Sequence, residues 1–305
     1  MHVGRDDSGS GGDGLGATFI HEVSPGGASV TDYGAASIFD PDSVLFDVDG
    51  TISGVAGSVL VGSSWPIGGT GIVSPIHPDE SVVTLFDPAS VVRNPSAMSF
   101  DSTGRMLLLN EHSTGRSVVE STGGLPTVLF TSPSTERPFD QAIDSLDRIY
   151  TRDTAGVIRI HDSTGALVNG SFSVLSPSST SRGLEIAPGG VWGTDLFPAA
   201  PGGDLMRIDG AGVASTFGTG FGNIGDIKFG LDGAMYISTF DGDQILRLTV
   251  AGTRTLVLRH GRDWAAGPFG LSTAPLRRPQ QVVSSRNHQE APPAERQGFF
   301  CARLP

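Results

Sequence analysis

The sequence predicts an all-β propeller of six four-stranded blades, the last one shared between the N- and C-terminal segments. Three observations predict it. The chain is rich in turn formers, with 43 Gly and 20 Pro among 305 residues. It is poor in charge, at 17% Asp, Glu, Lys and Arg, where an ordinary soluble domain carries roughly 25%. Long exposed helices need charged faces, so helical folds lose support. Finally, hairpin signals recur at a fixed interval, with turn residues Gly104, Asp147, Gly190 and Gly233 each 43 positions apart. Four short strands in such a period make a propeller blade, which buries its faces only against neighbouring blades.

In chain order, residues 1–16 form a Gly/Asp/Ser-rich segment expected to be a flexible extension. Residues 19–23 and 29–33, joined by Gly26-Gly27, read as the third and fourth strands of a blade lacking its first two. Complete units start near Asp42, Pro95, Pro138, Ser181 and Ile224. The first has its turn at Asp47-Val-Asp-Gly50, 54 positions before Gly104, so it carries about 11 extra residues. Inner strands alternate, as in Met98/Phe100, Leu184/Ile186 and Ile227/Phe229, and run into Gly/Asp turns. Second strands are expected at 106–109, 149–151, 191–194 and 235–238. Third strands share a signature: Val157-Ile-Arg-Ile160, Leu205-Met-Arg-Ile208 and Ile245-Leu-Arg-Leu248, with Ser117-Val-Val-Glu120 a looser copy. Gly165, Gly212 and Gly252 then turn the chain into its fourth strands.

Gly267-Pro-Phe-Gly-Leu271 reads as the first strand of the blade begun by residues 19–33. The ring then closes without a covalent link and leaves no open edge. A seven-bladed ring would need one more unit. The propeller domain is expected over 17–290. From Thr273 the vocabulary shifts to Arg, Pro and Gln. That stretch is either a divergent end of the closing blade or foreign to the propeller, with 291–305 as a tail.

The net charge is −12 and the single lysine is Lys228, which argues against nucleic-acid and anionic-membrane partners. No apolar run approaches the roughly 18 residues of a membrane span, and no signal peptide is visible. One cysteine, Cys301, excludes a disulfide framework within the chain and a Cys-based zinc site. The elbow, P-loop and dinucleotide motifs are missing too. A monomer meeting a small molecule or a protein is the expectation.

Aligning the units on their turns singles out the chemistry. Seven residues before each turn stand Ala97, Asp140, Gly183 and Asp226; ten before stand Asn94, Arg137, Thr180 and Asn223. The starts of innermost strands line a propeller's channel mouth. Asp140, Asp226, Asn94 and Asn223 offer the oxygen ligands that Ca²⁺ or Mg²⁺ requires; the alternative is that they cap strand ends and bind water. Asp42, Arg182 and Glu185 occupy nearby places and are candidate ligand-binding residues. Glu111 and His112, in a loop on the same face, are candidate acid/base residues. His161 should point outward, and Trp65, Trp192 and Trp264 should pack between blades.

Ser43-Val-Leu-Phe-Asp47-Val-Asp49-Gly-Thr resembles the first motif of haloacid dehalogenase phosphatases. That resemblance implies Asp47 as nucleophile and Asp49 as acid/base. The same residues also serve as an inner strand and its turn, and no long helical pattern follows them.

The run from Gly225 to Leu248, Gly-Asp-Ile-Lys-Phe-Gly-Leu-Asp-Gly-Ala-Met-Tyr-Ile-Ser-Thr-Phe-Asp-Gly-Asp-Gln-Ile-Leu-Arg-Leu, resembles an NHL-type repeat. It is equally similar to the repeats of streptogramin lyase and gluconolactonase (senescence-marker) propellers, and the resemblance spans roughly residues 17–272. Val191-Trp-Gly-Thr-Asp195 is similar to the Trp-Phe-Thr-Glu run of streptogramin lyases but departs at its second and fourth residues. That family's catalytic histidine pattern is not found. The resemblance implies the propeller fold and an exported protein, while its members include lyases, lactonases and binding modules. A scaffold binding a ligand or protein at the channel mouth is the leading expectation. A divalent-metal-dependent lyase or lactonase is the alternative, and the Asp47/Asp49 phosphatase a distant third.

Overall fold

The computed structural model describes residues 2–4, 18–23, 30–38, 41–63, 71–86, 91–110, 116–133, 135–178, 181–239, 244–259, 271–272 and 300–301. Strands β1 (His2–Gly4), β2 (Thr18–Val23) and β3 (Val30–Ile38) begin the chain. Blade I follows as β4 (Pro41–Asp47), β5 (Ser58–Ser63) and β6 (Ile72–Ile76). Blade II holds β7 (Pro95–Phe100), β8 (Met106–Asn110), β9 (Arg116–Ser121) and β10 (Thr127–Ser132). Blade III holds β11 (Pro138–Ile143), β12 (Ile149–Asp153), β13 (Val157–His161) and β14 (Leu167–Val174). Blade IV holds β15 (Leu184–Ile186), β16 (Leu196–Ala200), β17 (Asp204–Ile208) and β18 (Ala214–Gly218). Blade V holds β19 (Ile224–Phe229), β20 (Met235–Thr239), β21 (Gln244–Leu248) and β22 (Arg254–Arg259), before β23 (Leu271–Ser272) and β24 (Phe300–Cys301).

Six four-stranded blades, and the seven-bladed alternative, are overturned by the strand pairing. Among the described residues there are five blades, four of four strands and one of three. After β6 a turn at His77–Ser81, with Glu80 at φ 66, sends the chain back along β6. Among the described residues this returning segment pairs with β6 through backbone hydrogen bonds from Val83 to Pro75 O and from Leu85 to Val73 O and through two isolated bridges, Val73 to Phe86 and Ile76 to Val82, without forming a continuous fourth strand. The remaining strands form a mixed five-stranded sheet in the order β23, β24, β1, β2, β3, with β1 parallel to β24. Two-residue strands cannot fill a blade's inner half, and β1 completes the ladder. Residues 2–4 and 300–301, from the two terminal segments, thus pair with β2 and β23.

This sheet closes the ring. The inner strands β4, β7, β11, β15 and β19 neighbour one another in that order, and β23 touches both β19 and β4. Burial between blades drives the assembly. In β8, Met106 and Leu108 pack toward blade I, whereas Leu107 and Leu109 pack toward blade III. A strand covered on both faces needs no polar alternation, which explains its unbroken apolar run. Fully burying one such side chain contributes roughly 1.5–3 kcal/mol.

The turns follow their chemistry. Asp101 Oδ1 accepts from the backbone N–H of Thr103 and Arg105, and Asp144 Oδ1 accepts from Leu146 and Arg148 in the same way. The extra residues of blade I form the 48–57 connection, gathered by Asp47. Its buried Oδ2 accepts from Ile52 N at 3.1 Å, Ser53 N at 2.7 Å and Ser53 Oγ at 2.7 Å. Asp47 therefore holds a loop between antiparallel strands, not a phosphatase strand leading to a helix.

Two local expectations change. Residues 191–194 are not a strand: Gly189, Gly190 and Gly193 have φ of 98, 63 and 69, and Gly190–Trp192 coil as a 3₁₀ turn. Trp192 instead drops into the core between blades IV and V, edge-on to Phe197 and Phe229. It donates Nε1–H to Gly233 O at 2.8 Å, so its packing role stands, while Trp65 and Trp264 lie outside the described residues. His161 is buried, not outward, and stacks on Phe130 with ring centroids 4.1 Å apart.

Candidate functional site

The inner strands of blades III, IV and V bring four charged side chains together. Asp140 sits third on β11, Glu185 second on β15, and Asp226 and Lys228 third and fifth on β19. The Lys228 ammonium is paired with Glu185 Oε2 and lies 3.9 Å from Asp226 Oδ1. Asp140 Oδ2 accepts from Gly183 N at 2.5 Å and Oδ1 from Gln141 N at 2.9 Å. Gly183 is required there. It adopts φ 106, and a Cβ would stand 2.9 Å from Ile227 Cγ1, closing the approach its N–H makes to Asp140.

Strand alternation aims these groups. Ile227 packs into the core between blades IV and V, so Asp226 and Lys228 take the opposite face of β19. Side-chain exposure is 17% for Lys228, 24% for Glu185 and 18% for Asp226. Walls surround the groups on most sides while solvent still reaches them.

The electrostatics follow from that setting. Burial, reinforced by the Asp226 charge, pushes the Asp140 carboxyl up to about 7, against Lys228 and the two backbone N–H groups. Burial also raises Glu185, with Lys228 opposing. For Lys228 burial pulls downward, but Glu185 and Asp226 outweigh it and hold the ammonium above its usual range. One carboxylic acid that takes its proton near neutrality beside a fixed ammonium can bind, donate or accept a proton at a polar ligand.

Beside this cluster, Arg152 on β12 stands opposite Asp140 in the ladder and is fully buried. Its Nη1 donates to Ala199 O and Ser181 O in blade IV. Burial lowers this guanidinium to about 10, with Asp140 and Asp153 resisting. Arg152 and Arg182 both lie near the Phe139 ring, 5.4 and 5.6 Å from its centroid.

The predicted residues are thus brought together in part. Asp140, Asp226, Glu185 and Arg182 share one sector. Asp42 is buried on blade I, across the ring from Arg182 and Glu185. Asn94 and Asn223 directly precede β7 and β19, on opposite sides of the ring. Glu111 and His112 lie outside the described residues. Among the described residues no three His, Cys, Asp or Glu side chains gather as a metal site. Lys228 supplies the positive charge beside these carboxylates, so as arranged they do not fit a divalent cation.

Sequence reasoning missed Lys228 and Arg152 as site residues. For Lys228 a signal existed: Glu185 and Lys228 are 43 apart, the same repeat position in neighbouring blades with opposite charge.

Comparison with solved structures recovers the same architecture. Virginiamycin B lyase from Staphylococcus aureus aligns with TM-score 0.54 at 16% identity, over 77% of this chain and 74% of that one. A gluconolactonase from Xanthomonas campestris aligns with TM-score 0.55 at 14% identity, over 74% and 76%. A chain of a nidogen/laminin complex aligns with TM-score 0.62 at 11% identity, over 87% and 95%. The likeness is one of fold. No family model and no curated protein sequence matches the chain. No helix among the described residues is long and apolar enough to cross a membrane.

Proposed function

We propose that this propeller binds a small polar molecule at the inner ends of blades III–V. The observation that carries the reading is the gathering of Asp140, Glu185 and Asp226, from three successive blades, around the one ammonium of Lys228. Burying charge costs stability that apolar side chains would not, and blade II manages with Ala97 and Ser99 at the same repeat positions. Lys228 would orient acceptor groups of the ligand, and Glu185 and Asp226 its hydroxyls.

A second reading has a specific observation behind it. A carboxyl titrating near 7 on a channel wall is suited to acid/base catalysis. Asp140 would then serve a lyase or lactonase reaction, activities that propellers of this fold carry. A Ca²⁺ or Mg²⁺ version using Asp140, Asp226, Asn94 and Asn223 needs Lys228 to leave the carboxylates first.

Thermal unfolding separates these readings. Sugar acids, lactones and polyols are screened on the wild type and on Glu185→Gln/Asp226→Asn. Ligand at a hundredfold excess over Kd stabilises by about 2.7 kcal/mol, so hits should raise Tm in the wild type and not in the variant. Equal shifts in both proteins would move the site elsewhere. EDTA should leave the wild-type Tm unchanged; a fall restored by Ca²⁺ or Mg²⁺ would establish the metal reading instead.

A further inference from the structure

We propose that Arg152, with Ser181 and Arg182, binds a small anion of the chloride or formate class between blades III and IV. Arg152 has no solvent exposure, and its Nε and Nη2 have no hydrogen-bond acceptor among the described residues. Those two nitrogens carry three N–H groups. Ser181 is also fully buried and its Oγ has no partner among the described residues, while its carbonyl lies 3.5 Å from Arg152 Nη1. Arg182, 7% exposed, approaches the same Phe139 ring that Arg152 approaches.

Charge decides between an anion and a water. The neighbouring carboxylates are committed elsewhere. Asp153 Oδ2 accepts from Arg159 Nη1 at 2.6 Å and its Oδ1 from Val157 N at 2.9 Å. Asp140 accepts from two backbone N–H groups. A water offers two lone pairs to three N–H groups, whereas a halide or carboxylate accepts them all and meets the guanidinium charge. Full enclosure limits the occupant to a few atoms. The proposal rests on the unpaired donors of Arg152 and the hydroxyl of Ser181, neither of which belongs to the Lys228 cluster, and stands independently of the ligand proposed there.

The test is thermal unfolding at constant ionic strength, replacing bulky isethionate stepwise by chloride or formate. The wild type should gain several degrees with a saturable midpoint. Arg152→Met should lose the dependence, and Ser181→Ala, which keeps the guanidinium, should weaken the midpoint about 3- to 10-fold. Bromide-soaked crystals should show an anomalous peak within hydrogen-bond reach of Arg152 Nε and Nη2. Identical Tm in all three salts, or an unchanged midpoint in Ser181→Ala, would overturn the proposal even if Arg152→Met fails to fold.

Discussion

Blades II and V are built on one plan and differ sharply where they meet the channel. At two equivalent positions of their inner strands, blade II carries Ala97, packed beside the core between blades II and III, and Ser99, whereas blade V carries Asp226 and Lys228. Their inner strands share a register, each with a bulge at the same place: Pro95 to Ala97 in β7 and Ile224 to Asp226 in β19. The fold is therefore satisfied by small neutral residues at these positions. Charge was added to one sector, and an addition that folding does not require points to use.

The largest effect should come from breaking this sector's balance. Lys228→Ser leaves Glu185 without its partner and should cost about 2 kcal/mol, less than a fully enclosed pair because solvent reaches these side chains. Giving blades IV and V the neutral pattern, Glu185→Ser/Asp226→Ala/Lys228→Ser, should return stability to within about 1 kcal/mol of wild type. Urea unfolding measures both. If the triple variant is as unstable as the single one, the charges hold the blades together and the comparison with blade II fails.

A smaller effect is expected from pH. Folding raises Asp140 from 3.8 to about 7, so the native state keeps a proton that the unfolded chain releases within that window. Stability from this group is fully present below 3.8 and is lost as pH rises through about 7. Asp140→Asn mimics the protonated acid. It should gain on the order of 1–2 kcal/mol relative to wild type between pH 5 and pH 8. Parallel stability profiles for the two proteins would mean that Asp140 is ionised across that range.

Much of the fold was legible because blades repeat their turn chemistry. Inner strands start at Pro41, Pro95, Pro138, Leu184 and Ile224, close to the positions that the 43-residue period indicates. Blade IV misled because Gly189-Gly190 spells a hairpin turn, yet three left-handed glycines there coil the chain and postpone its second strand to Leu196. The closing sheet was only half visible, since a two-residue strand such as β24 has no periodicity to detect. In the site, the carboxylates stood out at aligned positions. Arg152 did not, because it lies on a second strand and its orphaned donors depend on where blade IV places Ser181 and Ala199.

The smallest expected effect lies where the hairpin turns of blades II and III meet. Blade III alone has a non-glycine residue at its hairpin turn: Asp147 takes φ 59, where blades II and V have Gly104 and Gly233. A left-handed non-glycine residue costs about 1 kcal/mol. The carboxylate offsets this by accepting from Ser102 N at 2.7 Å and Ser102 Oγ at 2.6 Å, tying the two turns together. Exposed bonds of this kind contribute about 0.5 kcal/mol each. Asp147→Gly should therefore change stability by less than about 0.5 kcal/mol, while Asp147→Ala should lose about 1–2 kcal/mol because it keeps the strain and drops both bonds. On a Ser102→Ala background, Asp147→Gly should turn mildly stabilising. That sign change in denaturant midpoints would show blades II and III tied at their turns, where blades IV and V are tied by axial charge. Its failure to occur would leave the contact between blades II and III to apolar burial and to the bonds from Arg116 to Pro138 O and from Gln141 to Leu107 O.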